Sequence, residues 1–112
     1  DVAVSIDNVL DRKIYAVDAL ESQVYEGGAL GSEQTLIDRL ASDPIARKER
    51  LAETWRKRDG RVADLHRAAL REWYGEEAGN NVQCAEVFEV CEYGHRPTRD
   101  ELRRLFPFFG NQ

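Results

Sequence analysis

DPIARKERLAETWRKRDGRVADLHRAALREWY, residues 43–74, decides what kind of fold this chain builds. Asp43 can accept the orphan N–H groups of a first helical turn, and Pro44 at the first helical position has no donor to lose. Beyond them Leu51, Trp55, Val62, Leu65, Ala69 and Trp73 recur at steps of three, four and seven, which predicts a helix over 45–74 with one apolar stripe. Asp59-Gly60 interrupts it. A glycine inside a helix costs about 1 kcal/mol relative to alanine, so the chain either tolerates it or breaks there. The stripe keeps its phase across the gap, which favours a continuous or mildly bent helix.

Upstream, Asp1–Ile6 alternates, with Val2, Val4 and Ile6 on one side and Ala3 and Ser5 on the other, the pattern of a short strand. A lone strand leaves its backbone groups unpaired, so it must borrow partners from elsewhere in the chain or from a sheet outside it. Asp7 or Ser5 can cap the next helix, whose apolar positions are Leu10, Ile14, Val17, Leu20 or Glu21, and Val24, and which Gly27-Gly28 ends. A shorter helix from about Ser32, with Leu36, Ile37 and Leu40 inward, stops at Ser42-Asp43-Pro44. Downstream, Gly75–Asn81 is polar and glycine-containing, hence a loop. Val82–Tyr93 carries Val82, Cys84, Phe88 and Val90 nearer to period two and is strand in part. Thr98 and Glu101 have capping-box spacing, and Pro107 stops the helix they start.

With 112 residues, 42% hydrophobic and 33% charged, the chain can bury one small core as one domain or subdomain. It has no apolar run near the roughly 20 residues that cross a bilayer and no basic-then-apolar leader, so a membrane role is not expected and a cytoplasmic location is. The net charge of −5 opposes binding to nucleic acid, and the basic middle alternates with acids as a solvated helix face does. Two cysteines, Cys84 and Cys91, make no disulfide framework and read as small buried or half-buried side chains. His66 and His95 are isolated, so no residue pair has zinc spacing. Ser22 has no neighbouring histidine that would make it a nucleophile. The terminal LFPFF puts three Phe around a Pro, an apolar patch expected to dock on another part of the same protein or on a second copy.

Two segments are more particular than a small helical domain needs: DRKIYAVDALESQVYE at 11–26 and AEVFEVCEYGHRPTRDELRRLFPFF at 85–109. The first resembles a helix of the PIG-L/LmbE family of zinc-dependent deacetylases, of pattern K-x-x-A-x-x-A-H-x-S-Q, through Lys13, Ala16, Ala19, Ser22 and Gln23. It departs at Leu20, where the family usually carries His, so any role of that His is absent. The second is similar to the AE-x-F-E-x-CEYG run and Leu-Phe-Pro ending of some members. The family's His-Pro-Asp-Asp motif and later zinc-binding His do not occur here.

The resemblance implies a mainly α chain with short β, a C-terminal helical subdomain that would pack on a Rossmann-like α/β deacetylase core. Residues 1–26 would complete that core, 32–74 would form a helical pair, and 82–112 a strand, turn and terminal helix. No cofactor is expected in this chain, and zinc is expected in the catalytic part, where it would activate water against the acetamide of an N-acetylated sugar. Ser22, Gln23 and His95 would line the substrate pocket, while Glu86 and Tyr93 would give structural support. Read from the residues alone, Ser22 and Gln23 are equally the polar shoulder of a helix, and His95 first a turn residue. The partners implied are the catalytic N-terminal portion or a second subunit, in a homo- or hetero-oligomer. The alternative is a free-standing, non-catalytic helical interaction module.

Overall fold

A computed structural model describes residues 2–26 and 43–109, which are mainly helical with a two-stranded sheet. In order they form β1 (Val2–Ser5), α1 (Leu10–Asp18), a π-helical turn (Ser22–Glu26), α2 (Pro44–Leu65), α3 (Arg67–Tyr74), α4 (Glu76–Asn81), β2 (Ala85–Phe88) and α5 (Arg99–Leu105). The helix expected from Ser32, and the Gly27-Gly28 stop, lie outside the described residues. Two compact units result, Asp1–Asp7 with Asp59–Gln112, and Asn8–Arg58.

In the first unit β1 finds its partner within the chain. It pairs antiparallel with β2 in the register Val2↔Phe88, Ala3↔Val87, Val4↔Glu86 and Ser5↔Ala85, and the Ile6 N–H extends the ladder to the Cys84 carbonyl at 3.0 Å. The alternation in the sequence sorts the two faces, and both are buried. Val2 and Val4 pack with Trp73 and Phe109, while Ala3 packs with Ala63, Leu70, Val82 and Ala85. Ala3, Ala63 and Ala85 are fully buried, and their small side chains let helix and sheet backbones approach closely. The Ser5 N–H donates to the Tyr74 hydroxyl at 3.0 Å, closing a donor on the strand's far edge.

Asp7, expected as a helix cap, does something else. Its carboxylate accepts from the backbone N–H groups of Gln83 (3.0 Å) and Cys84 (2.7 Å), and α1, with Val9 at its N-cap position, has no side-chain cap. Those two donors lie just ahead of β2, and the charged acceptor ties them to the end of β1.

α2 begins as the sequence predicts, with Asp43 Oδ1 accepting from the N–H of Ile45 and Ala46 at 3.0 and 3.1 Å. It runs unbroken through Gly60 and breaks instead at His66, which has φ −110° and ψ 26°. Leu51, Ala63, Leu70 and Trp73 are buried, but Leu65 is 81% exposed. Leu65 lies two residues, about 200° around the helix, from buried Ala63 and so faces away. A Cβ added at Gly60 meets only the Gln83 carbonyl oxygen, at 3.6 Å, an ordinary contact. Gly60→Ala is therefore expected to raise stability by about 0.5–1 kcal/mol, read as a higher urea midpoint with an unchanged slope.

The stretch 75–81, expected as a loop, is mostly the helix α4. Gly75 reverses the chain after α3 at φ 86°, and Gly79 lets α4 lie against the α3 backbone. Glu76 and Glu77 occupy the first turn, where the helix dipole favours acids. The Arg67 guanidinium, held by Asp64, donates to the carbonyls of Gly79 (2.9 Å) and Val82 (2.7 Å), the orphan acceptors at the helix end. The glycines that suggested a loop are what close packing of two short helices requires.

α5 opens on the full Thr98/Glu101 capping box and ends at Phe106, before Pro107. The tail that follows covers its own unit. Phe109 is buried, stacked on Trp73 at 4.8 Å between ring centroids and edge-on to Tyr74 at 5.1 Å, so its docking surface lies within the chain. Phe108 stays 55% exposed.

In the second unit Leu10 and Ile14 of α1 are buried, and Val24, Tyr25 and Leu51 form a cluster with Val17 and Trp55. The helix expected to run on past Asp18 breaks at Ala19-Leu20, which leaves Leu20 half exposed. The wider π turn that follows rotates Val24 and Tyr25 inward, and the Tyr25 hydroxyl donates to Asp18. Burial, reinforced by that bond to Asp18, raises the Tyr25 pKa above the usual phenol value.

Candidate functional site

Ser22 and Gln23 stand on the π-helical turn, both exposed. The turn is braced from inside by Tyr25 and Asp18 and from outside by two cations of α2. Arg47 lies over the Tyr25 ring at 4.0 Å and 3.9 Å from Glu21, and Lys48 is 3.7 Å from Asp18. A hydroxyl and a carboxamide that donate and accept are thus presented side by side on a fixed turn, able to hold a polar group by hydrogen bonds. Among the described residues no nucleophile–base pair forms there.

His95 lines a shallow groove of about 330 Å³ with Pro97, Glu101, Arg104 and Leu105. Gly94, at φ 88° with open space around its Cα, turns the chain so that the imidazole points back along α5. His95 Nε2 sits 3.2 Å from Glu101 Oε2, which also accepts from the Thr98 N–H (2.7 Å) and hydroxyl (3.0 Å). Those bonds, the Thr98 N–H first, then its hydroxyl and His95, hold the Glu101 carboxyl down at about 2. Glu101 is therefore an acceptor, not a proton donor, across the neutral range. The groove combines an imidazole, a guanidinium and two apolar walls.

That depressed pKa fixes a pH dependence. The carboxylate stabilises the fold fully above its unfolded pKa of about 4.5, and the contribution is lost as pH falls from there through about 2. The stability gap between the wild-type chain and Glu101→Gln should be widest near pH 6 and close progressively toward pH 2, as followed by urea melts. A gap that does not change with pH would mean the cap acts without its charge.

The other expected site residues do not join this groove. Glu86 is half-buried on β2, opposite Val4. Tyr93, expected to support the fold, is 88% exposed and packs little of its ring. Cys84 is buried as expected, but Cys91 is exposed, and neither forms a disulfide. His66 is half-buried at the break between α2 and α3. Among the described residues no three His, Cys, Asp or Glu side chains converge as a metal site would need, and no helix is long and apolar enough to cross a membrane.

Glu101 and Arg104 were not singled out as site residues in the sequence, although the capping box announced where Glu101 would point. A histidine three residues before the cap Thr98 was the available signal that the two would meet. Comparison with family models, with curated proteins and with solved structures finds no match to this chain.

Proposed function

We propose that the chain is the C-terminal portion of a PIG-L/LmbE-like zinc deacetylase that hydrolyses the amide of N-acetylated sugar-type substrates. In this reading it supplies structural, pocket-wall and oligomer contacts, with Ser22, Gln23 and His95 facing substrate. The observation that carries the proposal is the small sheet. β1 directly precedes the helix that bears Lys13, Ala16 and Ala19, and β2 is itself the AE-x-F block, so antiparallel pairing unites stretches that lie far apart in sequence. β2 meets no second strand among the described residues. Two strands alone are marginal, and a sheet continuing into an α/β core would complete them.

The described donors of this chain do not fit zinc, since no three potential ligands come together. The metal and the hydrolytic step therefore belong, in this proposal, to the portion carrying His-Pro-Asp-Asp. The alternative of a non-catalytic helical interaction module draws its support from exposed rings, Phe88 and Phe108 among them.

Native mass spectrometry of the protein isolated from the cells that make it, with metal analysis on the same sample, separates the two. A zinc-containing species that includes a second polypeptide bearing His-Pro-Asp-Asp, or one longer chain with both portions, supports the deacetylase reading. Metal-free species containing only the 12.8 kDa chain would overturn it.

A further inference from the structure

Among the described residues, α5 and the tail after it are joined to the rest of the first unit through side chains. α5 itself has no buried residue. Its backbone hydrogen bonds close on themselves, Leu102 donating to Thr98 and Phe106 to Leu102, and the Phe109 N–H donates to Phe106 rather than to another element. Arg99 pairs with the Glu72 carboxylate, donates to the Glu72 carbonyl at 3.1 Å and lies 4.8 Å over the Trp73 ring, but both members of the ion pair are about half exposed. Exposed pairs of this kind contribute little to stability. Leu102 and Phe106 pack half-buried against the Val2, Val4 and Trp73 cluster, and Phe106 also meets Phe88 at 5.8 Å. The anchor is Phe109, buried on Trp73 and Tyr74.

The ground beneath this segment is held by other means. Val2 and Val4 are kept in place by the ladder of β1 with β2, Trp73 belongs to α3, and the Tyr74 hydroxyl is fixed by the Ser5 N–H. None of these contacts passes through residues 98–109. The connection to the segment is loose as well: residues 89–97 carry no helix or strand, all but Val90 and Pro97 are exposed, and Gly94, at φ 88°, has open space around it. A stretch with so little buried can change course without disturbing the sheet. The segment itself stands or falls together. A seven-residue helix is too short to persist alone in water, so α5 depends on the docking of Leu102, Phe106 and Phe109, and that docking depends on where α5 ends.

We infer that residues 98–109 are a strap, hinged on 89–97, that opens and closes as one unit while the sheet and α3 stay folded. Closed, it covers the Val2, Val4 and Trp73 face with Phe109. Open, it leaves that apolar face uncovered and already built, so the chain controls access to the face with its own C-terminal segment. The inference needs neither zinc nor a catalytic portion and stands apart from the deacetylase reading.

Amide hydrogen exchange of the full chain, followed by NMR through a series of urea concentrations below the unfolding transition, tests it. The Leu102 and Phe106 amides report on the strap, the Leu70 N–H, bonded to the His66 carbonyl, on α3, and the Ile6 N–H, bonded to the Cys84 carbonyl, on the sheet. The strap amides are expected to be protected, to exchange roughly tenfold or more faster than Leu70 and Ile6, and to respond more weakly to urea, because opening exposes less surface than unfolding. Val82→Ala separates the two openings in a second way. Val82 packs with Ala3, Ala63 and Leu70 and not with the strap. Its truncation should therefore speed exchange at Leu70 and Ile6 roughly tenfold or more and leave Leu102 and Phe106 at their original rates. Equal rates with equal urea dependence at all four amides overturn the inference, as do strap amides that quicken in step with Leu70 in Val82→Ala. Strap amides with no protection in the wild-type chain overturn it too, because the segment would then not be held closed.

Discussion

Phe109→Ala is expected to destabilise the first unit by about 3–5 kcal/mol, the range for truncating a buried Phe, while Phe108→Ala, its sequence neighbour, costs under about 1 kcal/mol. Phe109 is 5% exposed and sits between Trp73 and Tyr74 over the Val2–Val4 face of β1. Its loss removes the transfer energy of the ring, two aromatic contacts of about 0.5–1.5 kcal/mol each, and the cover over a strand that pairs on one side only. Pairing with β2 alongside it holds β1 in place and limits collapse into the space. Urea melts of the two variants at one protein concentration make the comparison. Equal costs at the two positions would mean that the tail is not seated as described.

The tail also shows how far the sequence could be read. Its apolar character is plain from LFPFF, and so is the need to cover it. Which of the rings turns inward is not, because that depends on where α5 ends relative to Trp73, and α5 ends at Phe106 under the influence of Pro107. Elements set by local chemistry are legible: the Asp43 cap, the Thr98/Glu101 box and the strand-like alternation of Val2–Ile6. Elements set by contacts distant in sequence are not. Asp7 has the composition of a helix cap and is taken instead by donors some 76 residues away. The stripe on residues 45–74 put Leu65 inside because it assumed one inward face throughout, whereas near the end of α2 it is Ala63 that is buried, and Leu65 faces away from it.

At the candidate site the same division holds. That Ser22, Gln23 and His95 are polar positions on turns or helix shoulders follows from their neighbours. That Ser22 and Gln23 stand on a π turn does not, since the turn owes its geometry to Tyr25 reaching Asp18 and to Arg47 arriving from another helix. His95 meets Glu101 because Gly94 allows a positive φ, so one backbone angle decides whether the imidazole reaches the cap or faces away.

Gly79→Ala should be among the most damaging single substitutions in the chain, costing about 3 kcal/mol or more, toward the top of the range for forcing atoms into a packed site. An added Cβ would lie 2.5 Å from the backbone N and Cα of Arg71 and 2.7 Å from the carbonyl carbon of Leu70. These are main-chain atoms of α3, which cannot rotate away as a side chain can. α4 must therefore back off, and in doing so it draws the Gly79 and Val82 carbonyls away from the Arg67 guanidinium that closes its end. Alanine is the better helix former by about 1 kcal/mol, which offsets only part of this. Gly60→Ala provides the control, because the same substitution in α2 meets only an ordinary contact at 3.6 Å and should shift the urea midpoint the other way. Opposite signs at the two glycines would establish that one is kept for backbone contact and the other is merely tolerated, whereas a neutral Gly79→Ala would require α4 to stand farther from α3 than the 2.5 Å approach implies.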